Sequence, residues 1–368
     1  MSAPIVSAGR LRKSPYYKST MDDGAESLLT YNRMLIPRGY GDPEAEYWRL
    51  VNNVSMWDVA VQRQVQLKGP DAAQLAQALC TRDLSRQKIG QGKYVAICDH
   101  KGVLINDPIV LKIDEDCYWL SIGNSDIWLW ARCVAGERGL DVVVSEPDVS
   151  PLAIQGPKAD DVVASIFGGW VHDLNYFWFK PFTLDGIPLI VARSGWSKQG
   201  GFELYLMDGS KGDELWNLVK EAGKPFDIGP GYPNPTERTE SGLLNWGVDT
   251  DDETNPFEVR MENFVDLDID DSVIGIRALR NIKSEGVKRH QLGIILDLGQ
   301  EDELQAIWLD IEKKGEFVGK MTHKAWSYKL ERMIGYALVT TETKPGDEVE
   351  VLRGLVRIKG KLVDLPFF

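Results

Sequence analysis

Cysteine and histidine are scarce in this chain, and what there is of them is scattered. The 368 residues include four of each. Cys80, Cys98, Cys117 and Cys133 form no C-x-x-C pair, so they read as buried, reduced thiols of a cytoplasmic protein. His100, His172, His290 and His323 make no H-x-x-x-H or Cys/His cluster, and no metal-ligand set is expected. Walker A and G-x-S-x-G motifs are missing. No apolar run approaches the ~20 residues of a membrane helix. The basic stretch at residues 1–13 has no apolar segment behind it and does not read as a signal peptide. Positive charge is also in deficit: Asp+Glu 55 against Lys+Arg 42 leaves a net charge of -13. Neither a nucleic-acid partner nor an anionic membrane surface suits that balance. The chemistry has to come from carboxylates, aromatics and backbone.

What is present is ordinary globular material, 43% hydrophobic and 26% charged. The length suits two to three domains. Residues 1–45 are polar and turn-rich, and are expected to drape over the first domain. Alternating apolar residues from Val59 to Leu67 predict a strand, and Gly69-Pro70-Asp71 opens a helix to about Leu79. Tyr94–Cys98 and Val103–Ile113 predict a hairpin, Tyr118–Ile122 a strand and Ser125–Val134 a helix. The pattern then recurs. Leu152-Ala-Ile-Gln-Gly156-Pro157 repeats the strand–Gly–Pro–helix order of Val65-Gln-Leu-Lys-Gly69-Pro70, and strands and a helix follow again, pointing to a duplicated unit. Ile228–Asn234 reads as a stiff loop, Thr236–Trp246 as a short helix, and the acidic stretch Asp249–Glu253 as a solvated loop. From about Gln291 the chain reads as short strands (Leu292–Leu296, Ala306–Ile311, Phe317–Thr322, Ile334–Val339, Val349–Val356, Lys361–Leu365), an all-β barrel. The division expected is 1–285 as two interleaved α+β domains and 286–368 as the barrel.

Four features are candidates for chemistry. Asn106-Asp107-Pro108 lies inside an apolar strand. Asp107 is either part of an edge turn set by Pro108 or a carboxylate presented to a cavity. Glu203 and Tyr205 share one strand face behind the glycine-rich loop Gly195–Gly201, which is either a plain hairpin or a ligand site. A carboxylate there suits the paired amide and amino donors of a pterin. Trp196 stands in that loop, where an indole is less expected in a core and where its face suits an onium cation. Arg238 and Glu240 in the short helix are either ordinary helix charges or, for Arg238, a hold on an anionic ligand.

At these residues the chain resembles a known family. Trp57-Asp58-Val59, Gly102-x-x-x-Asn106-Asp107, Ile154-Gln155-Gly156-Pro157, Gly195-Trp196-Ser197 with Gly201-Phe202-Glu203, and Glu240-Ser-Gly-Leu243 together resemble the glycine-cleavage T-protein (aminomethyltransferase) family. Thr81-Arg-Asp-Leu-Ser85, Asn106-Asp-Pro108, Glu146-Pro-Asp-Val-Ser150 and Ala192-Arg-Ser-Gly-Trp-Ser-Lys-Gln-Gly-Gly201 are similar to its dimethylsulfoniopropionate demethylase branch. The resemblance implies an α+β fold of three domains in a cloverleaf around a central folate channel, the last a β-barrel. It implies methyl transfer from dimethylsulfoniopropionate to tetrahydrofolate, giving 5-methyltetrahydrofolate and methylmercaptopropionate without a metal. Asp107 then matches an essential aspartate near the reactive folate nitrogen. Glu203 matches the glutamate that grips the pterin, and Trp196 and Arg238 are also assigned to folate. Tyr94, Trp196 and Tyr205 match positions around the sulfonium, with Lys198 a candidate for the donor carboxylate.

The chain departs from the family pattern at Asn106, at Asn234 and over Val259-Arg260-Met261-Glu262. The alternatives left open are a methylamine or methoxy-aromatic donor, whose carboxylate Arg260 would pair, and a non-catalytic folate-binding protein. Whether the protein is a monomer or a homodimer is also open.

Overall fold

The computed structural model describes residues 9–302 and 308–368. Residues 1–8, part of the segment expected to drape over the first domain, lie outside the described residues, as do residues 306–307 of the expected strand Ala306–Ile311.

Three β-systems carry the chain. A five-stranded sheet runs in the order Val143–Ser145, Gln64–Lys68, Cys117–Ser121, Ile109–Asp114, Gly92–Tyr94. A six-stranded sheet runs Phe179–Leu184, Ile187–Ala192, Gly201–Leu206, Ser150–Gln155, Val54–Asp58, Ile228–Gly231. The third is a closed barrel of six strands, from Arg289–Leu296 to Val356–Val363. The duplicated unit is visible in the first two. Gln64–Lys68 leads into helix Ala72–Leu79, and Ser150–Gln155 leads into helix Ala159–Phe167. Each helix buries its apolar stripe on its own sheet, giving two separate hydrophobic cores. The halves interleave, because Val54–Asp58 precedes the first sheet in the chain but is paired into the second, against Ser150–Gln155 and Ile228–Gly231. No helix among the described residues is long and apolar enough to cross a membrane.

Several expectations from the sequence are corrected. The alternation from Val59 spans a turn: Val54–Asp58 ends there, and the next strand begins at Gln64. Val59 and Val61 are buried as loop residues, so their period of two reported burial and not pairing. Residues 9–45 carry structure of their own, a helix at Tyr17–Asp22 and a hairpin of Ser27–Tyr31 with Met34–Gly39. Ile228–Gly231 is a strand, and the short helix stops at Glu240. The acidic stretch is no solvated loop. Asp249 is fully buried, and Asp251 is paired with Arg289, which holds its carboxyl down at about 2 against the cost of burial.

Helix Pro235–Glu240 joins the barrel to the sheets. Asn234 caps it, its side chain accepting from the Thr236 and Glu237 amides. Tyr47 Oη and Ser327 Oγ, from opposite sides, each donate to Glu240 at 2.6 Å. Tyr336 of the barrel donates to the Arg238 carbonyl at 2.8 Å. The segment from Leu244 to Leu279 packs a further apolar cluster onto the Ile97–Asn106 hairpin.

Candidate active site

Pro108 has no N–H to give to a ladder, so the long strand expected over Val103–Ile113 breaks at Asp107-Pro108. Leu104–Asn106 pairs with Ile97–Cys98, whereas Ile109–Asp114 changes partner to Cys117–Ser121 and Gly92–Tyr94. Asp107 therefore stands in a strand break and not mid-strand. Asn106 fixes that break. It donates to Ser125 Oγ at 2.8 Å and accepts from the Gly123 amide at 3.1 Å. Gly123 lies against this group: a Cβ there would be 3.2 Å from Asn106 Nδ2 and 3.4 Å from both Asp107 Oδ1 and the Tyr31 hydroxyl. Tyr94 donates to Asp107 Oδ2 at 2.7 Å. Burial pushes the Asp107 carboxyl up to about 7, helped slightly by the charge of Asp249 and opposed by the Tyr94 hydrogen bond.

Glu203 lies on the central strand Gly201–Leu206 of the six-stranded sheet and is buried. Ser194 Oγ and, at 3.3 Å, Tyr205 Oη both donate to its Oε2. No described residue bonds Oε1, and no cation lies within 4.0 Å of the carboxylate. Burial raises its pKa. The carboxylate is thus half-satisfied, an acceptor edge held ready by the protein.

The two acids are brought together by the end of strand Cys117–Ser121. Gly123 abuts Asp107, and Ser121 lies close to the hydroxyl of Tyr205, which donates to Glu203. Ser121 also stands opposite Ile109 across the ladder. Asp107 and the Tyr205–Glu203 pair thus lie near the two ends of the segment Ser121–Gly123.

Trp196 is half-buried, and its indole N–H donates to the Leu244 carbonyl at 3.2 Å. The glycines around it serve packing. A Cβ on Gly195 would fall 2.0 Å from the Gln155 side chain, and one on Gly201 2.2 Å from the Ile154 carbonyl. The loop closes on Gln155, which donates to the Ser194 carbonyl at 3.1 Å and accepts from Ser197 at 2.8 Å. The close backbone approach expected of a ligand is made to a glutamine of the same sheet.

Arg238 and Lys198 make no hydrogen bond or ion pair with Asp107 or Glu203 among the described residues. The Arg238 guanidinium is buried in a two-pronged pair with Asp249, at 2.6 and 3.2 Å, between the rings of Trp196 and Tyr336. Its charge is already answered, and it sits against one face of Trp196. The Lys198 side chain is exposed, and only its backbone amide is engaged, on Glu237 at 2.9 Å. Sequence reasoning missed Tyr31, Ser121, Ser194 and Asp249. Tyr31 lies in a segment taken for an unstructured drape, and a lone serine or tyrosine carries no spacing signal.

Comparison with known proteins fits this geometry. Residues 16–269 match the GCVT N-terminal domain model, and residues 289–368 the glycine cleavage T-protein C-terminal barrel domain. Dimethylsulfoniopropionate demethylase DmdA of Ruegeria pomeroyi is 39% identical over 95% of both chains. An aminomethyltransferase of Rubrobacter xylanophilus is 30% identical, covering 99% of this chain and 96% of its own. The crystal structure of the glycine cleavage system aminomethyltransferase T from Bartonella henselae superposes with a TM-score of 0.86 at 19% identity, over 97% of this chain and 98% of that one. This last likeness speaks to the fold.

Proposed function

The chain belongs to the glycine-cleavage T-protein family and is an enzyme of that transferase family, and on that premise we propose that it moves a methyl group from dimethylsulfoniopropionate to tetrahydrofolate. The observation that carries the reading is the pair of incompletely satisfied carboxylates, half-buried Asp107 and buried Glu203, set near the two ends of the segment Ser121–Gly123. Glu203 fits a reduced pterin because its free Oε1 can accept an N–H of the pterin's amide and amino edge, and a charge-assisted bond of this kind restores the bonding the buried carboxylate lacks. The likeness to the Ruegeria enzyme supports the sulfonium donor.

A sulfonium leaves as a neutral thioether and needs no protonation. The reduced folate supplies the nucleophilic nitrogen, the methyl carbon–sulfur bond breaks, and sulfur keeps the electron pair. Alignment then supplies most of the acceleration. Half-buried Trp196 offers an aromatic face to the cation, whereas Tyr205, expected beside the sulfonium, is fully buried in a core cluster and acts through its hydrogen bond to Glu203. Asp107 takes the proton released by the nitrogen as the methyl arrives. Its pKa of about 7 leaves it roughly half ionised at neutral pH, as suits a general base.

The test is to incubate the protein with tetrahydrofolate and a panel of sulfonium, methylamine and methoxy-aromatic donors and to assay 5-methyltetrahydrofolate. Product from dimethylsulfoniopropionate is expected, with Asp107→Asn at least tenfold slower while folate still binds. Glu203→Gln removes the charged acceptor, worth about 1.5–3 kcal/mol, and should weaken folate binding roughly 10- to 150-fold. Product only from another donor class would overturn the sulfonium assignment, and tight folate binding without product would overturn transfer itself.

A further inference from the structure

Arg260, which bonds Gly242 and Gln291 and whose charge reaches Tyr94, is left unused by the proposed reaction. It follows the turn Pro256–Val259 and adopts a left-handed backbone conformation, φ 64, where a side chain is disfavoured and glycine is usual. The chain nevertheless places its longest cation there. The guanidinium is met only by neutral acceptors. Nη2 donates to the Gly242 carbonyl at 2.5 Å and to Gln291 Oε1 at 3.3 Å, and Nε donates to the same Gln291 oxygen at 3.3 Å. Nη1 has no hydrogen bond among the described residues, and a Cβ on Gly242 would lie 3.2 Å from it.

No carboxylate lies within 4.0 Å of Arg260 among the described residues, whereas the neighbouring Arg238 holds Asp249 as its own. Asp249, Glu262 and the hydroxyls of Tyr94 and Tyr336 act on the guanidinium only through space. Burial without an anion disfavours the charge, as its lowered pKa reflects. The Tyr94 hydroxyl that feels this charge is the one bonded to Asp107. A half-buried guanidinium with an open prong, within electrostatic reach of the hydroxyl bonded to Asp107, lacks one thing: an oxyanion.

We propose that Arg260 holds the carboxylate of the methyl donor, so that the enzyme selects donors that carry a carboxylate at a fixed distance from the onium group. This rests on the methyl-transfer reading above and adds the anchor that reading lacks. The carboxylate is assigned to the donor, and not to the glutamate tail of the folate, because the Arg260 charge reaches Tyr94, whose hydroxyl is bonded to the acid at the proposed transfer point.

The test compares dimethylsulfoniopropionate with ethyldimethylsulfonium, which has no carboxylate, in the wild type, Arg260→Met and Arg260→Lys. Arg260→Met should raise KM for the carboxylate donor at least tenfold and leave KM for ethyldimethylsulfonium within about twofold, with Arg260→Lys recovering part of the loss. Equal changes for both donors would overturn the proposal. A rise in KM for tetrahydrofolate alone would assign the carboxylate to folate and overturn it as well. Calorimetry on the wild type gives a readout that needs no variant. 3-(Methylthio)propionate should bind and 3-(methylthio)propan-1-ol should not, and equal binding of the two would count against Arg260. Absence of transfer from either sulfonium in the wild type would instead sink the underlying reaction, while calorimetry would still judge the anchor.

Discussion

Replacing Tyr94 by Phe removes one hydroxyl and changes the pH at which Asp107 works. The Tyr94 hydroxyl donates to Asp107 Oδ2 at 2.7 Å and lowers the acid's pKa against burial, leaving it at about 7. A hydrogen bond to an ionised group contributes about 1.5–3 kcal/mol. One pH unit corresponds to about 1.4 kcal/mol, so its loss should lift the carboxyl by about 1–2 units, to about 8–9. The base must be ionised to accept a proton, so kcat/KM rises with pH through this value. The rising limb should sit near 7 in the wild type and move up in Tyr94→Phe. Near pH 7 the variant should be roughly 5- to 50-fold slower, recovering in alkali. The assay is kcat/KM for the sulfonium from about pH 5.5 to 9.5. Asp107→Asn should have no such limb. The stability effect has the opposite sign. A carboxyl whose folded pKa is raised contributes stability below its unfolded value near 3.9, and that contribution is lost as pH rises through about 7. Asp107→Asn should therefore lose less stability than the wild type between about pH 4 and 7. A limb unmoved in Tyr94→Phe, or moved down, would refute the view that Asp107 is the base and Tyr94 its tuner. Loss of donor contact alone would lower the curve without shifting it.

Two further outcomes are expected. Trp196→Ala should raise KM for a cationic donor about 2- to 30-fold, the range of about 0.5–2 kcal/mol for a cation on an aromatic face, and change a neutral donor less. Equal effects on both would argue against that face. Arg238→Met should cost about 3–5 kcal/mol in urea unfolding by leaving Asp249 charged and unpaired, and the double variant Arg238→Met/Asp249→Leu should recover most of it. An unchanged unfolding midpoint, with folate affinity lost, would return Arg238 to the binding site.

Much of the molecule follows from local chemistry in the chain. Period-two and helical patterns, with the Gly-Pro entries to two helices, are enough to find many of the elements of both sheets, though not Val54–Asp58, Val143–Ser145 or Ile228–Gly231, and to expect the barrel after about residue 286. Asp107 and Glu203 are conspicuous because a carboxylate in an apolar segment demands an explanation. Other features depend on partners distant in sequence. Asp249 reads as solvent-exposed until Arg238 is folded against it. The Gly195 and Gly201 loop reads as a ligand cradle until Gln155 is seen filling it. Val54–Asp58 crosses into the far sheet, which no local pattern encodes. Arg260 is one arginine among many until the fold half-buries it with no carboxylate within 4.0 Å among the described residues. The chain alone sets which groups are apolar, acidic or bent, because those are properties of single residues and their neighbours. Which charges are neutralised and which are left open is decided only in three dimensions, because the cost of burying a charge depends on what the whole fold places next to it.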